Sequence, residues 1–306
     1  MQPSLPPFMP SLMPLGLPAR PLPASLWPLL LKAGLTLFKP GRAFGNASRE
    51  FCHLAMAPAL AELDAYQQFF AFAPGVVPLC FYYPLLQKAQ LASMLQCSGL
   101  KVAGLIHLHN ELQAQQNLTP AQLCAGGPLQ IQTRLSTVAH VKGLLLRAEQ
   151  QLWQQQQLVL SGSSDYLLQK APRPVNKAGP ATAQREPGQP LCEINTTTDA
   201  PKAYARLSGD YNPIHLWRWS ALLFGQPRPI LHGMASAALL CQALPAPVQQ
   251  LQLQFKTPVL PGIPLQLTQQ STGHNSAEYA LWQQGRLCLL ASLQTWPDEA
   301  EAPDAC

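Results

Sequence analysis

The sequence predicts an α+β fold in which antiparallel strands wrap a central apolar helix. Three observations lead there. Leu231 to Leu244 (LHGMASAALLCQAL) is rich in alanine and leucine, has no interior proline and stops before Pro245, which is the pattern of a mostly buried helix. The residues after it alternate apolar and polar with period two, as strands with one buried face do. The first half of the chain follows a comparable order, so the arrangement is expected twice.

The strands of the second half are read in turn. Leu251, Leu253 and Phe255 alternate with Gln250, Gln252, Gln254 and Lys256. Pro261 and Gly262 make a turn, after which Ile263, Leu265 and Leu267 alternate again. Glu278 to Gln283 and Leu287 to Trp296 are two further strand-like runs separated by Gly285. In the first half Leu85, Ala89, Ala92 and Leu95 share one helical face, and Val102 to Leu108 reads as a strand. Leu129, Ile131, Thr133 and Leu135 alternate with Gln130, Gln132 and Arg134, and a strand pair is expected through Val138 to Leu146 and Leu158 to Leu168. The glutamine run Gln154 to Gln157 reads as a wetted surface.

The chain has 306 residues, 47% of them hydrophobic, which is ample for a core and exceeds the usual size of one domain. Only 11% are charged, which fits neither intrinsic disorder nor a charge-laced coiled coil. Between Lys170 and Pro190 proline, glycine and polar residues displace the apolar periodicity. The division expected is a proline-rich and helical extension over 1–60, a first folded unit over 61–170, a linker over 171–190 and a second unit over 191–306.

A net charge of +5 with scattered basic residues argues against a nucleic-acid surface and is compatible with a small anionic ligand. The eight cysteines show no C-x-x-C and no paired histidine spacing, so reduced thiols in a cytoplasmic protein are expected, with no metal site. Prolines interrupt the amino terminus up to Pro28, unlike a secretory signal. Trp27 to Phe38 is apolar, but it is shorter than the ~20 residues a membrane span needs and contains Lys32, so a short helix or surface-packed segment is expected.

The densest cluster of reactive groups runs from Tyr204 to Met234. Asp210 and His215 flank Asn212-Pro213, and proline restricts both itself and the residue before it, so a fixed loop aims the two side chains at one point. A carboxylate and an imidazole meeting in one cleft are what reversible addition of water to a double bond requires. Removing a proton next to a carbonyl also builds charge on the carbonyl oxygen. His232-Gly233-Met234 at a helix start offers the Gly233 N–H to that oxygen, where free amides and the positive end of the dipole favour an anion.

These segments resemble the MaoC-like dehydratases and R-specific enoyl-CoA hydratases, which have the hotdog fold. The likeness rests on Tyr204-Ala205, Ser208-Gly209-Asp210, Asn212-Pro213-Ile214-His215 and Pro229-Ile230-Leu231-His232-Gly233-Met234, and on the downstream run Phe255 to Gly262. It covers roughly residues 195 to 295. Val77-Pro78-Leu79, Tyr83-Pro84, the run Ala103 to Asn110 and His140-Val141-Lys142-Gly143 are similar to the degenerate leading hotdog of two-hotdog members, which typically helps to hold the acyl chain.

The resemblance implies a double hotdog that dehydrates a 3-hydroxyacyl thioester to the trans-2-enoyl form, or hydrates in reverse, with R stereochemistry at carbon 3. Asp210 and His215 would be the acid–base pair, Gly233 the oxyanion donor, and Ser208, Asn212 and Cys241 supporting residues. No cofactor is implied beyond coenzyme A or acyl carrier protein as the carrier of the substrate, with Arg228 and Lys256 as candidate contacts to it. Pairing with a second copy of the chain is left open. Two departures stand out: Cys241, where these hydratases often carry serine near the site, and Ile263, where an acidic residue is common. His232 reads as a packed residue rather than a base, Trp217 and Trp219 as packing against the sheet, and the spacing of His107, His109 and His140 matches no ligand pattern. The other functions kept in view are a non-catalytic acyl-binding or scaffolding protein and thioester hydrolysis.

Overall fold

The computed structural model describes residues 17–36, 48–102, 105–141, 143–170, 186–272 and 276–296. In chain order the elements are β1 (Arg20–Pro21), α1 (Trp27–Leu35), β2 (Arg49–Ala55), α2 (Leu60–Phe70), α3 (Tyr83–Gln96), β3 (Ile106–Ala114), α4 (Pro120–Ala125), β4 (Leu129–His140), β5 (Gly143–Gln154) and β6 (Gln157–Lys170) in the leading half. The trailing half holds β7 (Gln189–Ile194), α5 (Ala200–Ser208), α6 (Arg218–Leu223), α7 (Gly233–Gln242), β8 (Val248–Phe255), β9 (Leu265–Thr272), β10 (Ala277–Gln283) and β11 (Arg286–Thr295).

The strands form one sheet in the order β1-β2-β4-β5-β6-β3-β8-β11-β10-β9-β7. Its centre is the seam between the halves, where β3 and β8 pair antiparallel from His109↔Gln254 to Gln113↔Gln250. Across that seam Gln250 and Gln252 both donate to Glu111 Oε1, at 3.2 and 3.0 Å. Each half curls its strands around one helix, α3 in the leading half and α7 in the trailing half, and the result is a double hotdog.

α7 is buried along most of its length because Met234, Ala235, Ala237, Ala238 and Leu240 leave no polar face to wet. Leu251, Leu253, Leu265, Leu267, Leu281 and Leu289 pack in the same cluster, as the period-two reading requires. Leading-half residues Leu112, Leu129, Ile131 and Leu152 belong to that cluster too, so one core runs through both halves. A second cluster seats Leu26, Leu29 and Ala33 of the N-terminal segment on Leu91, Met94, Leu135 and Leu146.

The structure corrects several expectations about the leading half. Its third strand begins at Ile106, not Val102, and continues to Ala114. Val138 to Leu146 is not one strand, because β4 ends at His140 and β5 starts at Gly143. Leu85, Ala89, Ala92 and Leu95 all lie on α3 as read, with Leu85, Ala92 and Leu95 partly buried against the core. Ala89 is buried, but the helix also buries Tyr83, Leu86, Gln90, Leu91, Ser93 and Met94. Gln90 and Ser93 sit inside because their polar atoms are satisfied there: Gln90 Nε2 donates to Gln150 Oε1 at 2.7 Å and to Ser164 Oγ at 2.8 Å, and Ser93 Oγ donates to Ala89 O at 2.7 Å.

The glutamine run is a tight hairpin turn between β5 and β6, with Gln155 and Gln156 at φ 50° and 64°. Gln154 is buried and donates to Leu123 O at 2.9 Å, so it is not part of a wetted surface. In the second half Ile263 lies in the turn before β9 rather than in the strand. Residues 171–185 of the expected linker lie outside the described residues, and its last two, Gln189 and Pro190, open β7. No helix among the described residues is long and apolar enough to cross a membrane.

Candidate active site

Asp210 and His215 stand on the loop between α5 and α6, and the local sequence fixes its path. α5 ends because Gly209 takes the left-handed conformation at φ 74°. Ser208 Oγ donates to Tyr204 O at 2.9 Å and accepts the Asp210 N–H at 3.2 Å, which ties the carboxylate's backbone to the last helical turn. Asp210 Oδ1 accepts the Asn212 N–H at 3.1 Å, and Asn212 Oδ1 accepts the Ile214 N–H at 3.5 Å. These two consecutive turns lead into the short 3-10 helix Pro213–His215. Ser208 and Asn212 therefore shape the loop through main-chain contacts.

His215 Nδ1 lies 2.8 Å from Ile230 O. A carbonyl only accepts, so Nδ1 carries the proton and Nε2 keeps its lone pair. His232 sits face to face with this ring, with centroids 3.7 Å apart and planes inclined at 23°. By the same logic its Nε2–H donates to Asp210 O at 3.0 Å. His232 is thus packed and hydrogen-bonded, and it also serves as the platform under His215 and a tie to Asp210. Tyr204 closes the other side, its ring 4.9 Å from His232.

Burial shapes the ionisation of the group. It pushes His232 down to about 3, with the neighbouring His215 adding to the effect. Burial also lowers His215 from its ordinary value, against the opposing pull of Asp210 and the Ile230 carbonyl. For Asp210 burial favours the neutral acid, but the two imidazoles, the Gln87 amide and the Asn212 N–H outweigh it and hold the carboxyl below the usual carboxylate value. Near neutral pH the two amide donors act on Asp210 while both imidazoles are uncharged, so an ionised carboxylate faces a neutral imidazole.

The third expected component is Gly233, the first residue of α7, where a main-chain N–H has no partner within the helix. A Cβ there would lie 2.7 Å from Phe255 Cε1, so only glycine lets this helix start approach the end of β8.

Of the other expected residues, Cys241 lies at the far end of α7, where its free thiol is buried in the same core cluster as Cys80 of the leading half. Arg228 is half-buried two residues before Ile230, and Lys256 is exposed and donates to Gln254 Oε1 at 2.7 Å. Trp217 and Trp219 stack at 6.0 Å, but they are 42% and 62% exposed, so they do not simply pack against the sheet. Three participants had no signal in the sequence: His232 as a platform, the Ile230 carbonyl, and Gln87 of α3, whose Nε2 donates to Asp210 Oδ2 at 2.8 Å.

Asp210, His215 and His232 each offer a ligand atom within 4.8 Å of the others, so the cluster has the dimensions of a metal site as well as of an acid–base site. His215 Nδ1 and His232 Nε2 donate to carbonyls, which leaves His215 Nε2 and His232 Nδ1 as the lone-pair nitrogens of the cluster.

The chain is thus a double hotdog with these groups at the start of its second central helix. Residues 181–281 match the family model of the MaoC like domain. Over 87 residues the chain is 39% identical to "Enoyl-CoA hydratase 2, peroxisomal" of Arabidopsis thaliana, covering 26% of this chain and 28% of that protein. Over 114 residues it is 34% identical to "3-hydroxyacyl-thioester dehydratase Y" of Mycobacterium tuberculosis, covering 34% of this chain and 38% of that protein. The chain thus spans well under half the length of either relative. The crystal structure of HtdX of Mycobacterium tuberculosis superposes with a TM-score of 0.64 at 20% identity, covering 82% of this chain and all of that one, which is a likeness of fold.

Proposed function

We propose that the protein interconverts (R)-3-hydroxyacyl and trans-2-enoyl thioesters by adding or removing water. The observation that carries this reading is the approach of an anchored His215 to Asp210 beside the helix start at Gly233.

In the hydration direction a water lies between Asp210 and His215. One of the pair accepts its proton as the oxygen bonds to carbon 3, and the π electrons move onto the thioester carbonyl. The Gly233 N–H, reinforced by the dipole of α7, meets that developing negative charge. A proton then returns to carbon 2, so the pair ends in its starting state and the net change is one water added. The chemistry needs only positioned acid–base groups and a main-chain amide, with coenzyme A or acyl carrier protein carrying the acyl group. Arg228, two residues before Ile230, and Lys256, next to Phe255, are the candidates to meet an anionic carrier. The described cysteines are unpaired, which fits the reducing interior of a cell.

The test is incubation with trans-2-butenoyl-CoA, following loss of the conjugated enoyl absorbance and the configuration of the product. Formation of the R-3-hydroxy thioester supports the reading. Formation of the S product, or release of free thiol in place of hydration, contradicts it.

A further inference from the structure

We infer that Gln87 of the leading half is a positioning residue for the dyad, aiming the Asp210 carboxylate and completing a site that the MaoC-like domain does not contain by itself. The inference rests on the acid–base reading of Asp210 given above.

Asp210 and Gln87 are 123 positions apart, yet Nε2 of Gln87 donates to Oδ2 at 2.8 Å. The other carboxylate oxygen accepts the Asn212 N–H at 3.1 Å. Each oxygen therefore has one amide donor, one from each half, and turning the carboxylate about its bond to the β-carbon breaks both. A neutral amide suits this task. Lysine or arginine in its place would hold the anion as an ion pair and blunt its readiness to take a proton.

Gln87 is also held in place from behind. Gln150 Nε2 donates to the Leu86 carbonyl at 3.0 Å while accepting from Gln90 at 2.7 Å, which pins the turn of α3 from which Gln87 projects. Tyr166 OH donates to Gln90 Oε1 at 2.6 Å and adds a further tie to the same turn.

Six titratable groups surround Asp210: His215, His232 and Tyr204 from the trailing half, and Tyr83, Tyr166 and His107 from the leading half. Burial pushes the three tyrosines up and the three histidines down, so near neutral pH all six are uncharged. Gln87 is then the leading half's donor to an isolated carboxylate.

The experiment compares full-length wild type, Gln87→Ala and the isosteric Gln87→Glu. Asp210 is followed by carbon-13 carboxyl NMR, assigned with Asp210→Asn, and hydration is followed with trans-2-butenoyl-CoA. In Gln87→Ala the Asp210 carboxyl titrates at higher pH, and kcat falls about 10- to 100-fold while KM moves by less than about threefold. In Gln87→Glu the neighbouring carboxylate suppresses activity at neutral pH, and lowering the pH restores part of it because the protonated glutamic acid regains a donor.

An Asp210 titration unchanged by Gln87→Ala overturns the proposal even if the rate falls, because a general loosening of the two halves leaves that carboxyl's proton affinity alone. The titration also separates the two readings. A wild-type protein that hydrates no enoyl thioester refutes the proposed function, whereas the shift of Asp210 still decides the role of Gln87.

Discussion

His215 lies flat on His232 at a centroid separation of 3.7 Å, and the two rings are tethered in opposite senses, one to the carbonyl of Ile230 and the other to the carbonyl of Asp210. The imidazole proposed to move protons is thereby held from two directions, by its own hydrogen bond and by the plane of its neighbour.

His232→Phe keeps a ring under His215 and removes only the donor to Asp210 O. We expect a folded protein whose kcat/KM is reduced about tenfold, as befits one lost hydrogen bond. His232→Ala removes the platform as well and should cost more. Equal rates in the two variants would show that the stack contributes nothing.

The pH dependence follows from the direction of the His215 shift. Its folded-state value lies below 6.5, so the neutral, proton-accepting form persists as the pH falls past that point. The acid limb of kcat/KM is therefore expected below pH 6.5, and it should disappear from the residual activity of His215→Ala. An acid limb above pH 7 contradicts the assignment.

Gly233→Ala should lower activity about 10- to 100-fold, because the added Cβ displaces either Phe255 or the amide itself. If the cause is that contact, Gly233→Ala combined with Phe255→Leu recovers part of the loss. No recovery in the double variant points away from Phe255.

Stability has a separate centre in the leading half. Arg147 meets Asp165 with two hydrogen bonds, Nε to Oδ1 at 2.7 Å and Nη2 to Oδ2 at 2.8 Å, and Asp165 is only 4% exposed. Burial opposes ionisation, but Arg147 and His109 overcome it and lower Asp165 from 3.8 to about 2. Because the folded value is the lower one, this contribution is complete above the unfolded value and is lost as the pH falls through about 2. Arg147→Met strands the buried carboxylate and should cost about 3–5 kcal/mol in urea unfolding at pH 7. A loss under about 1 kcal/mol would show that water reaches Asp165.

What the sequence revealed about the site was its local part. Asn212-Pro213 sets the bend, and Asp210, His215 and Gly233 fall within 24 positions of one another, so short-range patterning sufficed to name them. Gln87 escaped notice because a glutamine on a helix carries no mark of a partner 123 positions away. The same limit explains α3, whose core-facing Gln90 looks like a surface residue until β5 and β6 supply Gln150 and Ser164. In the trailing half β8 to β11 were legible because each buries one face in an apolar cluster, whereas β7, exposed along most of its length, shows no such alternation. In the leading half polar side chains inside the fold blur that alternation.

Hydration of trans-2-butenoyl-CoA by Asp210→Asn and by His215→Ala, each checked for an unchanged fold by circular dichroism, tests the central claim most directly. Each substitution should remove at least about 10²-fold of the wild-type rate, the usual contribution of a positioned acid–base group. Wild-type turnover in either folded variant would contradict the account.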